Sequence, residues 1–144
     1  MKQKITTSIL MLVITIQQTS SAMIIGKQNQ FKCKENPAVI GDCFTIHGRM
    51  RFGNGTPSLR IWQVGTSHYL GVTAGKVADD ADEPILPKEI ILDAYSTVYG
   101  DFEVCPFTKK NEGALQYVCV ESGSSLIIED RNGKLKRIKS KKIN

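Results

Sequence analysis

Between Cys43 and Val64 the sequence reads CFTIHGRMRFGNGTPSLRIWQV, and its apolar residues recur at every second position. A period of two is the mark of a strand buried on one face, and it rules out an amphipathic helix over the same residues. Phe44, Ile46, Gly48, Met50 and Phe52 fall on the inner side, and Thr45, His47, Arg49 and Arg51 on the outer side. Gly53-Asn54-Gly55-Thr56 tolerates the positive φ of a tight turn, and Pro57, which has no backbone donor, suits the start or edge of the next strand. Ser58 to Val64 then alternates again, with Leu59, Ile61 and Gln63 inside and Arg60 and Trp62 outside. A turn centred between Asn54 and Gly55 pairs Arg51 with Ser58, Arg49 with Arg60 and His47 with Trp62. A slip of one residue would destroy that map.

The remaining chain repeats this grammar in shorter phrases. His68 to Val72, Glu89 to Ala94, Thr97 to Cys105, Leu115 to Glu121, Leu126 to Arg131 and Lys134 to Ile138 read as strands, with Gly100 at a bulge and Asn132-Gly133 as a hairpin turn. Met23 to Asp42 reads as an extended entry with a turn at Asn36-Pro37, and Ala74 to Lys88 as the longest loop. No stretch carries a sustained helical period with caps, although Ala74 to Asp82 or Lys88 to Ala94 could form a short helix. About eight short strands separated by turns indicate an all-β fold, a small antiparallel sandwich or barrel.

Three regions at the N-terminus look like a secretory signal: Lys2 and Lys4, an apolar run from Ile9 to Ile16, and small residues ending at Ala22. The run is too short to span a bilayer, so cleavage after Ala22 would leave no stable membrane span. This gives a leader over 1–22, a single β-rich domain over 23–138 and a basic tail over 139–144, placed outside the cytoplasm by secretion or in a periplasm. The chain beyond Ala22 carries 17 basic and 14 acidic residues. Lys134, Lys136, Arg137, Lys139, Lys141 and Lys142 concentrate the excess at the end, so the high pI belongs to the tail and leader.

All four cysteines follow Ala22, and an even number in a small exported domain argues for two disulfides. Cys105 and Cys119 are symmetric about Glu112, within the polar Lys109 to Gly113 turn, so they should lie opposite one another in a hairpin. The expected bridges are therefore Cys105 to Cys119, closing a loop of about 15 residues worth about 3 kcal/mol, and Cys33 to Cys43. No C-x-x-C pair suggests a zinc site, and His47 and His68, the only histidines, sit on different strands, so no metal or other cofactor is expected.

His47, Arg49, Arg51, Arg60 and Trp62 together form the candidate ligand face. Guanidinium groups bind carboxylate, phosphate and sulfate with two parallel hydrogen bonds, and an indole offers a platform for a sugar ring. An anionic glycan, a phosphate-bearing ligand or an acidic protein surface would suit it. The competing explanation is structural: by the same symmetry Glu103 faces Glu121, and two facing glutamates could neutralise two facing arginines if the hairpins adjoin. Carboxylates such as Glu103, Glu121 or Asp101 also permit a second function, a hydrolase acting on an extracellular or cell-wall polymer with a pair of them as acid and base. A third is a structural accessory subunit that lends an exposed strand to a partner. No G-x-S-x-G elbow or EF-hand loop is present. The leading expectation is an exported binding or interaction module without catalysis.

Overall fold

The computed structural model describes residues 32–78 and 83–138. The leader, its cleavage site, the start of the entry segment through Phe31, the stretch Asp79 to Asp82 and the tail from Lys139 lie outside them. A short 3-10 turn, Cys33–Glu35, precedes six strands: β1 Phe44–Phe52, β2 Leu59–Gln63, β3 Tyr69–Val72, β4 Thr97–Pro106, β5 Gln116–Glu129 and β6 Leu135–Arg137. They follow the order β3-β2-β1-β4-β5-β6, and β3 also pairs with β5. β1, β2 and β3 form a meander, and β4 returns through residues 73–96 to lie beside β1, which is a Greek key. The parallel rungs Leu70–Gln116, Gly71–Tyr117 and Val72–Val118 close the sheet into a five-stranded barrel, with β6 as an added edge strand.

The period of two fills this barrel. Ile46 and Met50 from β1, Leu59 and Ile61 from β2, Leu70 and Val72 from β3, Val98, Phe102 and Val104 from β4, and Val118, Val120 and Leu126 from β5 are buried together. Each such side chain contributes roughly 1.5–3 kcal/mol when fully withdrawn from water. A barrel of five strands is narrow, and glycine makes room where large side chains converge. Gly48 and Gly100 are cross-strand partners. A Cβ on Gly48 would lie 2.5 Å from Ile61 Cγ2, and one on Gly100 would lie 2.7 Å from Leu126 Cδ2. The ladder shifts register between Tyr99 and Asp101, so the expected bulge at Gly100 is present.

Six strands stand where about eight were expected, for two reasons. Leu115 to Glu121 and Leu126 to Arg131 join into the single strand β5, which bends at Gly123 to Ser125, where Ser125 takes φ 55°. Glu89 to Ala94 forms no strand: it is irregular, with Ile90 buried and Leu92 packed on the core, so its apolar residues cover the barrel without joining the sheet. No α-helix occurs among the described residues. The Asn132-Gly133 hairpin is present. The Asp130 side chain accepts from the Asn132 and Lys134 amides at 2.8 and 2.9 Å, and Gly133 takes φ 76°.

The disulfides differ from the expected pairs. Cys33 bonds Cys119 and Cys43 bonds Cys105. Cys105 and Cys119 do face each other on one rung, as their symmetry requires, but each sulfur reaches out to the N-terminal segment lying over them. A second cluster, formed by Cys33, Cys105, Phe107 and Cys119 with Ala38, Val39 and Tyr117 at its margin, covers this part of the sheet from outside. The bridges tie the entry segment to the barrel across sequence separations of 86 and 62 residues. Two disulfides in so small a fold point to an oxidising, extracytoplasmic environment. No helix among the described residues is long and apolar enough to cross a membrane.

Candidate functional site

The β1–β2 hairpin turns one residue later than the sequence suggests, between Gly55 and Thr56. Arg49 therefore lies opposite Trp62, and Arg51 opposite Arg60. Because the cross-strand sum changes by two, inward residues stay inward and only the partners change. The expected pairs Arg49 with Arg60, Arg51 with Ser58 and His47 with Trp62 are thus replaced. The reason lies in the turn: Gly55 takes φ 92°, and the Gly53 amide donates to Ser58 O at 2.9 Å.

On the outer side, Arg49, Arg51, Gly53, Arg60, Trp62 and Tyr69 line a hollow of about 250 Å³. Trp62 is fixed first, since its indole N–H donates to Thr66 O at 2.7 Å in the β2–β3 turn. The Arg49 guanidinium lies over that ring, 5.1 Å from its centroid, a cation–π contact that holds the charge without neutralising it. Arg60 is braced by its Nε–H, which donates to Pro57 O at 3.0 Å. The Arg51 Nε–H reaches Phe52 O at 3.4 Å. Gly55 is favoured beside Arg60 by its φ of 92°, which strains any residue with a side chain; a Cβ there would also come within 2.9 Å of Arg60 Nη2 and displace that flexible end. Tyr69 faces Trp62 across β2 and β3 and is 43% exposed.

Charge balance makes the hollow unusual. None of the three arginines forms an ion pair with a described carboxylate. Arg51 and Arg60 are direct cross-strand neighbours, an arrangement that costs up to about 1 kcal/mol. The Nε of Arg49 is buried with no acceptor, and a buried donor left unsatisfied costs about 1–3 kcal/mol. On the far side of Arg49 stands Tyr99, whose hydroxyl donates to Glu129 Oε2 at 2.8 Å. That bond, together with burial, raises the Tyr99 pKa above the ordinary phenol value, so Tyr99 stands beside Arg49 as a neutral group.

The expected internal neutralisation does not occur. The register of β1 with β4 places Glu103 opposite Thr45, well below the arginines. Glu103 Oε1 instead accepts from Lys34 Nζ at 2.7 Å, and Glu121 Oε2 accepts from the Lys34 amide at 2.9 Å. Glu103 also does not face Glu121: a register shift beside Val104 sets it opposite Ser122. The Lys34 hydrogen bond lowers the Glu103 pKa, whereas a general acid needs a raised one.

Of the five residues expected on this face, Arg49, Arg51, Arg60 and Trp62 converge and His47 does not. His47 Nδ1 lies 2.9 Å from Asp101 Oδ1, two rungs from Arg49 along the sheet and outside the hollow. Sequence reasoning missed Tyr69 and Gly53. Centring the next turn on Gly65-Thr66 would have set Trp62 opposite Tyr69, so a signal for Tyr69 was present. No group of three or more His, Cys, Asp or Glu residues able to hold a metal ion occurs among the described residues. Compared with known proteins, the chain matches no family model, no curated protein and no solved structure.

Proposed function

We propose that the protein is an exported, non-catalytic binding module that takes an anionic ligand in the hollow between β1, β2 and β3. The observation that carries this reading is the set of three arginines, oriented by their own backbone and ring contacts and without a described carboxylate to neutralise them. A bound oxyanion would relieve the Arg51–Arg60 repulsion and accept charge-assisted bonds from their free guanidinium nitrogens. Preorganisation lowers the cost of binding, because fewer rotamers are lost when the ligand arrives. Architecture supports the reading by analogy only: five-stranded Greek-key barrels of the OB kind present ligands on the outer face of strands 2 and 3. Secretion accords with the leader-like N-terminus and the two disulfides.

Calorimetric titration with phosphate, sulfate, sugar phosphates and neutral sugars, near 0.15 M salt where diffuse charge attraction is screened, tests the proposal. Saturable binding of the charged ligands alone is expected. Each charge-assisted hydrogen bond contributes about 1.5–3 kcal/mol, so Arg60→Ala should weaken binding about tenfold or more. Absence of binding, or binding unaffected by Arg60→Ala, refutes the site.

A further inference from the structure

Tyr69 belongs to two hollows. Below the arginines, a second hollow of about 660 Å³ opens between the β2–β3 turn and the β4–β5 loop, lined by Thr66, Ser67, His68 and Tyr69 on one side and residues 110–115 on the other. The arginine hollow alone, at about 250 Å³, falls below the roughly 300–1,000 Å³ typical of a whole organic ligand. It has room for a charged substituent and little more. The second hollow has the volume that the first lacks, and Tyr69 lines both.

The two ends differ in chemistry. The upper end is cationic, with Arg49, Arg51 and Arg60. The lower end is nearly neutral in sum: its lining carries one lysine, Lys110, and one glutamate, Glu112, and Ser67 and Asn111 are exposed there. A neutral wall of hydroxyl, amide and aromatic groups suits sugar hydroxyls and the apolar face of a pyranose ring. Single-stranded nucleic acid would need cations along its whole path to meet successive phosphates, and the lower end does not supply them.

Resting on the anion-binding reading above, we infer that the two hollows are one groove for an oligosaccharide bearing a phosphate or sulfate ester. The ester seats among Arg49, Arg51 and Arg60, Tyr69 carries the adjoining ring, and the unsubstituted sugars run down to Ser67 and Asn111.

The full chain would be titrated with three probes: a monosaccharide phosphate or sulfate, an oligosaccharide carrying the same ester at one end, and a 5′-phosphorylated single-stranded oligonucleotide of matched length. The oligosaccharide should bind at least about tenfold more tightly than the monosaccharide ester, a gain of about 1.4 kcal/mol. Ser67→Ala combined with Asn111→Ala, both at exposed turn positions, should abolish that gain and leave the monosaccharide ester within about twofold, while Arg60→Ala should weaken both sugar ligands. Equal affinity for the long and short esters, with Arg60→Ala still weakening them, overturns the groove and leaves the anion site standing. Failure of every ester to bind overturns both. An oligonucleotide that binds as tightly as the oligosaccharide overturns the assignment to sugar. Comparing phosphate with sulfate esters identifies which ester the arginines prefer.

Discussion

Arg49 sits between the Trp62 ring on β2 and Tyr99 on β4, and its charge is held over the indole ring and beside the Tyr99 side chain, not against a described carboxylate. That distinction was only half legible in the sequence. The alternation 47–49–51 gave the outward face, but whether Glu103 lay near Arg49 depended on the β1–β4 register, which no local pattern encodes. The glutamate answers instead to Lys34, a residue 69 positions away. This pair carries a prediction. The Lys34 bond lowers the Glu103 pKa, and the Glu103 bond raises the Lys34 pKa. The glutamate's contribution is thus complete above its unfolded pKa and is lost as pH falls through the lowered folded value. The lysine's contribution is complete below its unfolded pKa and is lost as pH rises through the raised folded value. Lys34 is exposed and Glu103 partly so, and water screens the pair enough that the contribution is small. In Lys34→Ala, the Glu103 carboxyl titration followed by NMR should move up towards the ordinary glutamate range. An unmoved titration would mean that Lys34 does not set it.

At the scale of elements, turns and bulges separated what could be read from what could not. β1 and β2 were found nearly to the residue, and inward and outward faces were right throughout the hairpin. The partners were wrong because placing the turn one residue too early slides every rung by two. On β4 and β5 a different signal was available. Val104-Cys105-Pro106-Phe107 and Val118-Cys119-Val120 are buried at consecutive positions, and an unbroken apolar run implies cover on both faces of a sheet. That cover is the N-terminal segment, and it is why the cysteines bond outward. Peptide mapping under non-reducing conditions should recover Cys33 with Cys119 and Cys43 with Cys105, and a Cys105–Cys119 peptide would contradict the fold. Replacing one pair by alanine should cost about 2–5 kcal/mol in denaturant unfolding. Within the barrel, Gly48→Ala drives a methyl into Ile61, and such overpacking costs about 1–3 kcal/mol. Chemical denaturation would measure it, and an unchanged midpoint would show that the interior has more room than the contacts imply.

For the molecule as a whole, the all-β class followed from period and turn chemistry, and closure did not. The parallel β3–β5 rungs join Leu70–Val72 to Gln116–Val118, segments distant in sequence with nothing local to announce their meeting. The β2–β3 pairing already sets Tyr69 beside Trp62, and closure adds the second wall, because the β3–β5 rungs carry the β4–β5 loop against the β2–β3 turn. The central claim is that the arginine hollow holds an anion. Trp62 is the only tryptophan in the chain, and it lines the hollow with Arg49 on its face, so its emission reports on that place alone. The most direct measurement is a titration of Trp62 fluorescence with a sugar phosphate near 0.15 M salt, repeated in Arg60→Ala. A saturable change in emission is expected, lost or moved to about tenfold higher ligand concentration in the variant. A flat titration, or identical curves for the two proteins, would contradict the central claim.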